Sequence, residues 1–185
     1  MSIAKKLQIS RGITLIELLV AMSVLSILLA VGVPSFSQFS TINRLNSYSD
    51  TLFSHMTLAR SEAIKRNTRV VVCKSPDGLS CTSSDSWSQG WVVFVDLDNN
   101  ADISSDEQIL TTMPALPTGY SFSGNTNVSS YISYDGQGSP KLTSGAFQSG
   151  TITLCPTPPA EGGNGRNVII GSSGRLRISK ITSCS

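Results

Sequence analysis

Several side chains in this sequence have types and spacings that invite chemistry. Near the C-terminus, Arg175 and Arg177 stand two residues apart behind Gly174, with Arg166 before them and Lys180 after. From Asn164 onward these four cations meet no acidic side chain. If 175–181 is a strand, the period of two places Arg175 and Arg177 together on the solvent face and Leu176 and Ile178 on the core face. Their Cα atoms are then roughly 6.6 Å apart, and two guanidinium groups at that spacing reach neighbouring phosphates. Ser172, Ser173 and Gly174 form the turn, the serines offering small donors and the glycine an approachable backbone. The competing account is that charges on a late strand only keep a sheet edge soluble and unpaired.

A second constellation is acidic. Counted from Asp96, oxygen-bearing side chains fall at the first, third, fifth, seventh and ninth places (Asp96, Asp98, Asn100, Asp102, Ser104), and Glu107 is twelfth. That is the spacing of a calcium-binding loop. Against it, Ala101 stands where such a loop needs glycine for its sharp turn, and a strand rather than a helix precedes it. The alternative is an Asp/Asn-rich hairpin connection whose side chains cap their own backbone. The expectation is no metal, with Asp96, Asp98, Asn100, Asp102 and Glu107 as the calcium candidates.

The four cysteines, Cys73, Cys81, Cys155 and Cys184, suit disulfides in an oxidising compartment. Four cysteines allow three connectivities; Cys73 with Cys81 closes a short loop and leaves Cys155 with Cys184. A zinc site competes poorly, because there is no CxxC pair and no nearby histidine. His55 is the sole histidine, and with no cysteine or carboxylate arranged around it the expectation is a helix-face residue. No phosphate-cradling glycine loop with lysine appears, nor a serine–histidine–acid set. The expected class is a structural and binding protein, neither an enzyme nor a cofactor carrier.

These groups must be held by something, and the strongest organising element is at the other end. Residues 13–33 form a nearly unbroken apolar run whose polar exceptions are Thr14, Glu17, Ser23 and Ser26. A helix over it is roughly 32 Å long, enough to cross a bilayer. Lys5, Lys6 and Arg11 precede it, so its short N-terminal flank is expected on the cytoplasmic side. A cleaved secretory signal is the alternative, but the run is long for one and no small-x-small site lies near Pro34. Removing residues 1–12 leaves eleven basic against twelve acidic side chains, so net charge says nothing about an anionic partner.

Beyond Pro34, Phe36, Phe39, Ile42, Leu45, Leu52, Met56, Ala59 and Ala63 recur at helical spacing. The simplest structure is one helix from Thr14 to about Arg66, kinked or locally melted at Pro34. After Asn67 the pattern changes to short β-rich runs, with candidate strands at 69–74, 90–96, 108–113, 120–123, 131–134, 151–155, 167–171 and 175–181. Close spacing implies antiparallel hairpins and an α+β class.

The run Arg11-Gly12-Ile13-Thr14-Leu15-Ile16-Glu17-Leu18-Leu19 resembles the prepilin signature of type IV pilins and type II secretion pseudopilins. The resemblance implies that a prepilin peptidase cuts between Gly12 and Ile13 and methylates the new terminus on Ile13. It also implies that Glu17, the fifth mature residue, pairs with a terminal amine of another pilin during assembly. Ile13 departs from the commoner phenylalanine. Pro34 falls where such helices kink, and the strand Gly90-Trp91-Val92-Val93-Phe94-Val95-Asp96 resembles the central strand of the GspH/FimT minor-pilin branch. Gly174-Arg175-Leu176-Arg177 matches the GRxR motif of FimT-type minor pilins, the nearest resemblance within that branch.

Membership of that branch implies a pilin-like fold: a long N-terminal helix packed on an antiparallel β-sheet head. Its expected parts are a cytoplasmic leader (1–12), a transmembrane or filament-core half-helix (13–34), an amphipathic half-helix (35–67) and a β-rich head (68–185). The implied role is capture of extracellular double-stranded DNA, without sequence preference, for uptake in natural transformation. The implied contacts come from Gly174, Arg175 and Arg177, with Lys180 and Arg166 as further cations. Other major and minor pilins are the expected filament partners. The protein is expected in the inner membrane with its head in the periplasm, and then in an extracellular pilus. The alternative is a structural subunit that primes a type IV pilus or a type II secretion pseudopilus.

Overall fold

In a computed structural model of the chain, residues 12–84, 86–158 and 164–184 are described. The leader, apart from Gly12, lies outside them. Helix α1 spans Leu15–Arg66. Thr14 starts it: its Oγ1 accepts the Glu17 backbone N–H at 3.3 Å and its carbonyl accepts that of Leu18 at 3.1 Å. Glu17 therefore sits in the first turn and Lys65 and Arg66 in the last, each charge matching the helix dipole at its end. Asn67 stops the helix at φ 51°. Its N–H bonds to Ile64 O and that of Thr68 to Ala63 O, the paired pattern of a left-handed C-cap. At Pro34, where a kink or local melting is expected, the backbone stays helical and does not melt.

The chain divides into two units, one ending at Ser40 and one comprising Thr41–Ser185. In the first, the described apolar side chains from Ile13 through Leu29, with Val33, Phe36 and Phe39, are exposed. Among the residues whose side chains are described, which cover the 13–33 run only in part, no helix is long and apolar enough to cross a membrane. The second unit holds the core. Leu45, Leu52, Met56, Ala59 and Ala63 form a buried stripe on α1. The helical spacing thus marks a core face from Leu45 onward, while Phe36 and Phe39, at 72% and 62% exposure, do not join it.

Two four-stranded antiparallel sheets complete the head. In sheet A the order is β3 (Ile109–Met113), β2 (Trp91–Asp96), β1 (Arg69–Lys74), β5 (Tyr131–Tyr134). In sheet B it is β4 (Tyr120–Gly124), β6 (Gly150–Pro156), β7 (Gly165–Ile170), β8 (Leu176–Ile181). One core cluster joins α1 to both sheets, with Val70, Val72, Trp91 and Val93 from the first and Phe122, Ile152, Leu154, Val168 and Ile170 from the second. Trp91 and Phe122 meet edge to face across it, centroids 5.9 Å apart. The alternate residues Val71, Cys73, Val92 and Phe94 form a second cluster under Ala101, Ile103 and Cys81. Sheet A is therefore covered on both faces, which is why its inner strands are almost wholly apolar.

Candidate nucleic-acid interface

The C-terminal hairpin pairs Ile170 with Leu176, Ile169 with Arg177, Val168 with Ile178 and Arg166 with Lys180. Its connection is Ser172-Ser173-Gly174. Gly174 N–H bonds to Gly171 O at 2.8 Å, and Gly171 N–H bonds to Arg175 O at 3.0 Å. Gly174 has φ 79°, so this is a three-residue loop closed by a glycine bulge. A left-handed residue there fixes the direction in which the chain enters β8.

Arg175 and Arg177 are exposed. With Ile169, Gly171 and Ser173 they line an open groove of about 330 Å³. The register puts Arg177 beside Ile169 and Asn167, on the face of sheet B turned away from the core residues Val168 and Ile170. Thr151 and Thr153 on β6 pair with Ile169 and Asn167 and continue that polar face. None of the four strands of sheet B contains an acidic residue.

Three residues expected to share this surface are placed differently. Arg166 is 4% exposed, because strand parity puts it with Val168 and Ile170 on the core face. Its Nε donates to Asn46 Oδ1 on α1 at 2.7 Å and its Nη1 to Gly165 O at 2.8 Å. A guanidinium so held is a structural anchor and not a phosphate contact. Lys180 is exposed but pairs with Arg166, so it leaves the strand on the side opposite Arg177. Gly174 is buried rather than approachable: a Cβ there would stand 2.9 Å from Gly138 O and 3.1 Å from Arg60 Cζ. Its role is to let the turn close.

One residue had no signal beyond being a cation on the polar side of α1. Arg60 reaches the turn, its Nη1 donating to Gly174 O at 3.0 Å and its Nη2 to Ser173 O at 3.3 Å. Only the fold brings residues so far apart in sequence together.

The cysteines are joined as Cys73–Cys81 and Cys155–Cys184, Cα separations 5.7 and 5.8 Å. The second bond ties the segment after β8 to β6. Within the first loop, Asp77 accepts from Leu79 N–H and from the N–H and hydroxyl of Ser80, which holds its carboxyl well below the usual carboxylate range.

In the acidic loop, Asp96, Asp98 and Glu107 bring oxygens within 4.8 Å of one another, and Asp102 lies outside that group. The carboxylates already serve the backbone. Asp96 accepts Asn100 N–H and Ala101 N–H, each at 3.2 Å, and Glu107 accepts Leu97 N–H at 2.7 Å and Ser104 N–H at 2.9 Å. Burial pushes the Asp96 carboxyl up. Ala101 adopts φ 60°, so the turn that favours glycine is made with a Cβ in place. These contacts are those of a self-capped connection laid over sheet A. His55 Nδ1 accepts Trp91 Nε1–H at 2.9 Å, and burial lowers the imidazole pKa, so this histidine is a neutral acceptor on α1.

Residues 49–174 match the family model of the type II transport protein GspH, and residues 8–33 match the prokaryotic N-terminal methylation motif. No curated protein matches the sequence. Two crystal forms of the Pseudomonas aeruginosa type IV minor pilin FimU share the fold. One aligns at TM-score 0.58 and 19% identity, over 80% of this chain and 99% of FimU. The other aligns at 0.55 and 18%, over 76% and 99%. A methylation motif opening a long helix, and a two-sheet head under a matching family model, place this chain in the FimT/FimU–GspH family of type IV minor pilins and pseudopilins.

Proposed function

We propose that this minor pilin holds double-stranded DNA against the β8 edge of its head, through phosphate contacts from Arg175 and Arg177, for uptake in natural transformation. The observation that carries this is the pair of exposed guanidinium groups lining one groove, on a sheet whose strands contain no carboxylate. Such contacts read the backbone and not the bases, so binding is independent of sequence. Lys180, on the other side of the same edge strand, adds attraction at longer range.

Two phosphate contacts imply a log–log salt slope of about −2. The test is a fluorescent duplex titrated with the full chain in detergent micelles at several salt concentrations. Arg175→Gln with Arg177→Gln should remove the binding and leave the melting temperature unchanged. A double variant that binds DNA like the parent overturns the assignment.

The rest of the proposal concerns the life of the chain. Prepilin peptidase cleaves between Gly12 and Ile13 and methylates Ile13. Residues 13–33 anchor the protein singly in the inner membrane, N-terminus in and head periplasmic, before it joins other pilins in an extracellular filament. There Glu17 pairs with a terminal amine. The exposed apolar side chains from Ile13 to Phe39 support this, since such a row has to be covered by lipid or by other helices.

The same observation favours a second reading, a purely structural subunit that primes a pilus or a type II secretion pseudopilus. Under it the arginine changes are silent, and deleting the gene removes filaments instead.

A further inference from the structure

Between α1 and the β7–β8 turn lies a guanidinium that the proposed DNA contacts do not use. Arg60 donates to the carbonyls of two consecutive turn residues, Ser173 at 3.3 Å and Gly174 at 3.0 Å. A guanidinium has the fixed fork that bridges two adjacent acceptors; an ammonium does not. The site is also built by omission. Gly138, in the turn after β5, and Gly174 are both left-handed, at φ 74° and 79°. A Cβ on Gly138 would stand 2.7 Å from Ile64 Cδ1 and 3.2 Å from Arg60 Nε, and one on Gly174 would stand 3.1 Å from Arg60 Cζ and 2.9 Å from Gly138 O. Two glycine turns, one from each sheet, therefore close around one helix side chain. Arg60 Nε is buried there without a hydrogen-bond partner among the described residues.

Arg175 follows Gly174 directly, and its carbonyl accepts Gly171 N–H, so the turn that Arg60 grips sets where Arg175 leaves the sheet. We infer that Arg60 is the positioning residue of the Arg175/Arg177 edge: by bridging the Ser173 and Gly174 carbonyls it fixes the turn, and through it the spacing of the two guanidinium groups. This rests on the DNA reading above for its consequence in binding, but not for its structural part. Preorganisation of this kind lowers the ordering cost that a flexible turn meets when ligand arrives.

Amide exchange and DNA titration of the full chain in micelles test it together. With Arg60→Gln, exchange at Gly171 and Gly174 should quicken about tenfold or more, as expected for losing two hydrogen bonds. Exchange at Val168, in the middle of the hairpin, should stay at the parent rate. DNA affinity should fall severalfold while the salt slope stays at the parent value, because no phosphate contact is lost. Arg60→Lys, which keeps the charge but not the fork, should fall between parent and Arg60→Gln in both measurements, and it is the variant to read if Arg60→Gln does not fold. Unchanged exchange at Gly171 and Gly174 overturns the inference even if Arg175 and Arg177 bind DNA. A slope that falls by about one also overturns it, by making Arg60 a phosphate contact itself. If the parent binds no DNA, the DNA reading fails and the exchange rates alone decide the role of Arg60.

Discussion

Sheet A and sheet B have the same strand number and the same antiparallel pairing, yet they are finished differently. Sheet A has the core on one face and, on the other, the layer formed by Cys81, Ala101 and Ile103. The acidic loop belongs to that layer, so Asp96, Asp98 and Glu107 lie with sheet A. Sheet B has the same core beneath it, but its outer face carries Thr151, Thr153 and Asn167 and ends at Arg177, with no acid in any strand. A sheet covered twice contributes stability and offers little surface. A sheet covered once leaves a face free, and Arg177 lies on that face with Arg175 beside it in the same groove. Stability and binding should therefore separate between the two sheets.

The largest test of that division is on the buried side. Phe94, fully buried in the outer layer of sheet A, should cost about 3–5 kcal/mol when changed to alanine, read from chemical denaturation. Below its melting range the variant should still bind DNA. Next come the disulfides. A loop-closure estimate assigns about 3.6 kcal/mol to Cys155–Cys184, whose partners are 29 residues apart, and about 2.5 kcal/mol to Cys73–Cys81, 8 apart. Serine pairs at each should melt in that order, and loss of the first should also weaken DNA binding, because it frees the segment after β8. If the second pair alone affects DNA, the division between the sheets is wrong.

A smaller effect is expected on the open side. Single Arg175→Gln and Arg177→Gln changes should each reduce the salt slope by about one and leave the denaturation midpoint in place. Asp98→Asn should change neither measurement.

The smallest is the pH dependence of His55. Its folded-state pKa is lowered from 6.5 by burial. The neutral form is therefore the one favoured by folding, and its contribution is fully present above pH 6.5. It is lost as pH falls below 6.5 toward the lower folded value. The melting temperature should decline on acidification through that window, and His55→Phe should lose that part of the decline. A parent and variant with parallel profiles would mean that the Trp91 contact does not hold the imidazole neutral.

Much of this architecture is legible locally. Period 3.6 along α1, and short β-rich runs between Gly, Ser, Asn and Pro after Asn67, place the helix and the eight strands among the described residues within a few residues of where they lie, because each pattern reports a local preference or a face that must be buried. The short Cys73–Cys81 spacing points to its own bridge in the same way. Parity also contains an unused signal: Arg166 is an even number of residues from Val168 and Ile170, so it shares their buried face. The Phe36 and Phe39 positions follow the helical period but not the core, since a period cannot say where along a helix the head begins.

The elements, their apolar faces and the pair of closely spaced arginines on a late strand are properties of the amino-acid order, because each depends on neighbours a few residues away. Which cations remain at the surface is a property of the packed molecule. It depends on what covers each face, and α1 covers the face holding Arg166 while nothing among the described residues covers that of Arg177. Packing alone brings Arg60 under the turn, since a contact across 114 residues exists only once helix and sheets have come together.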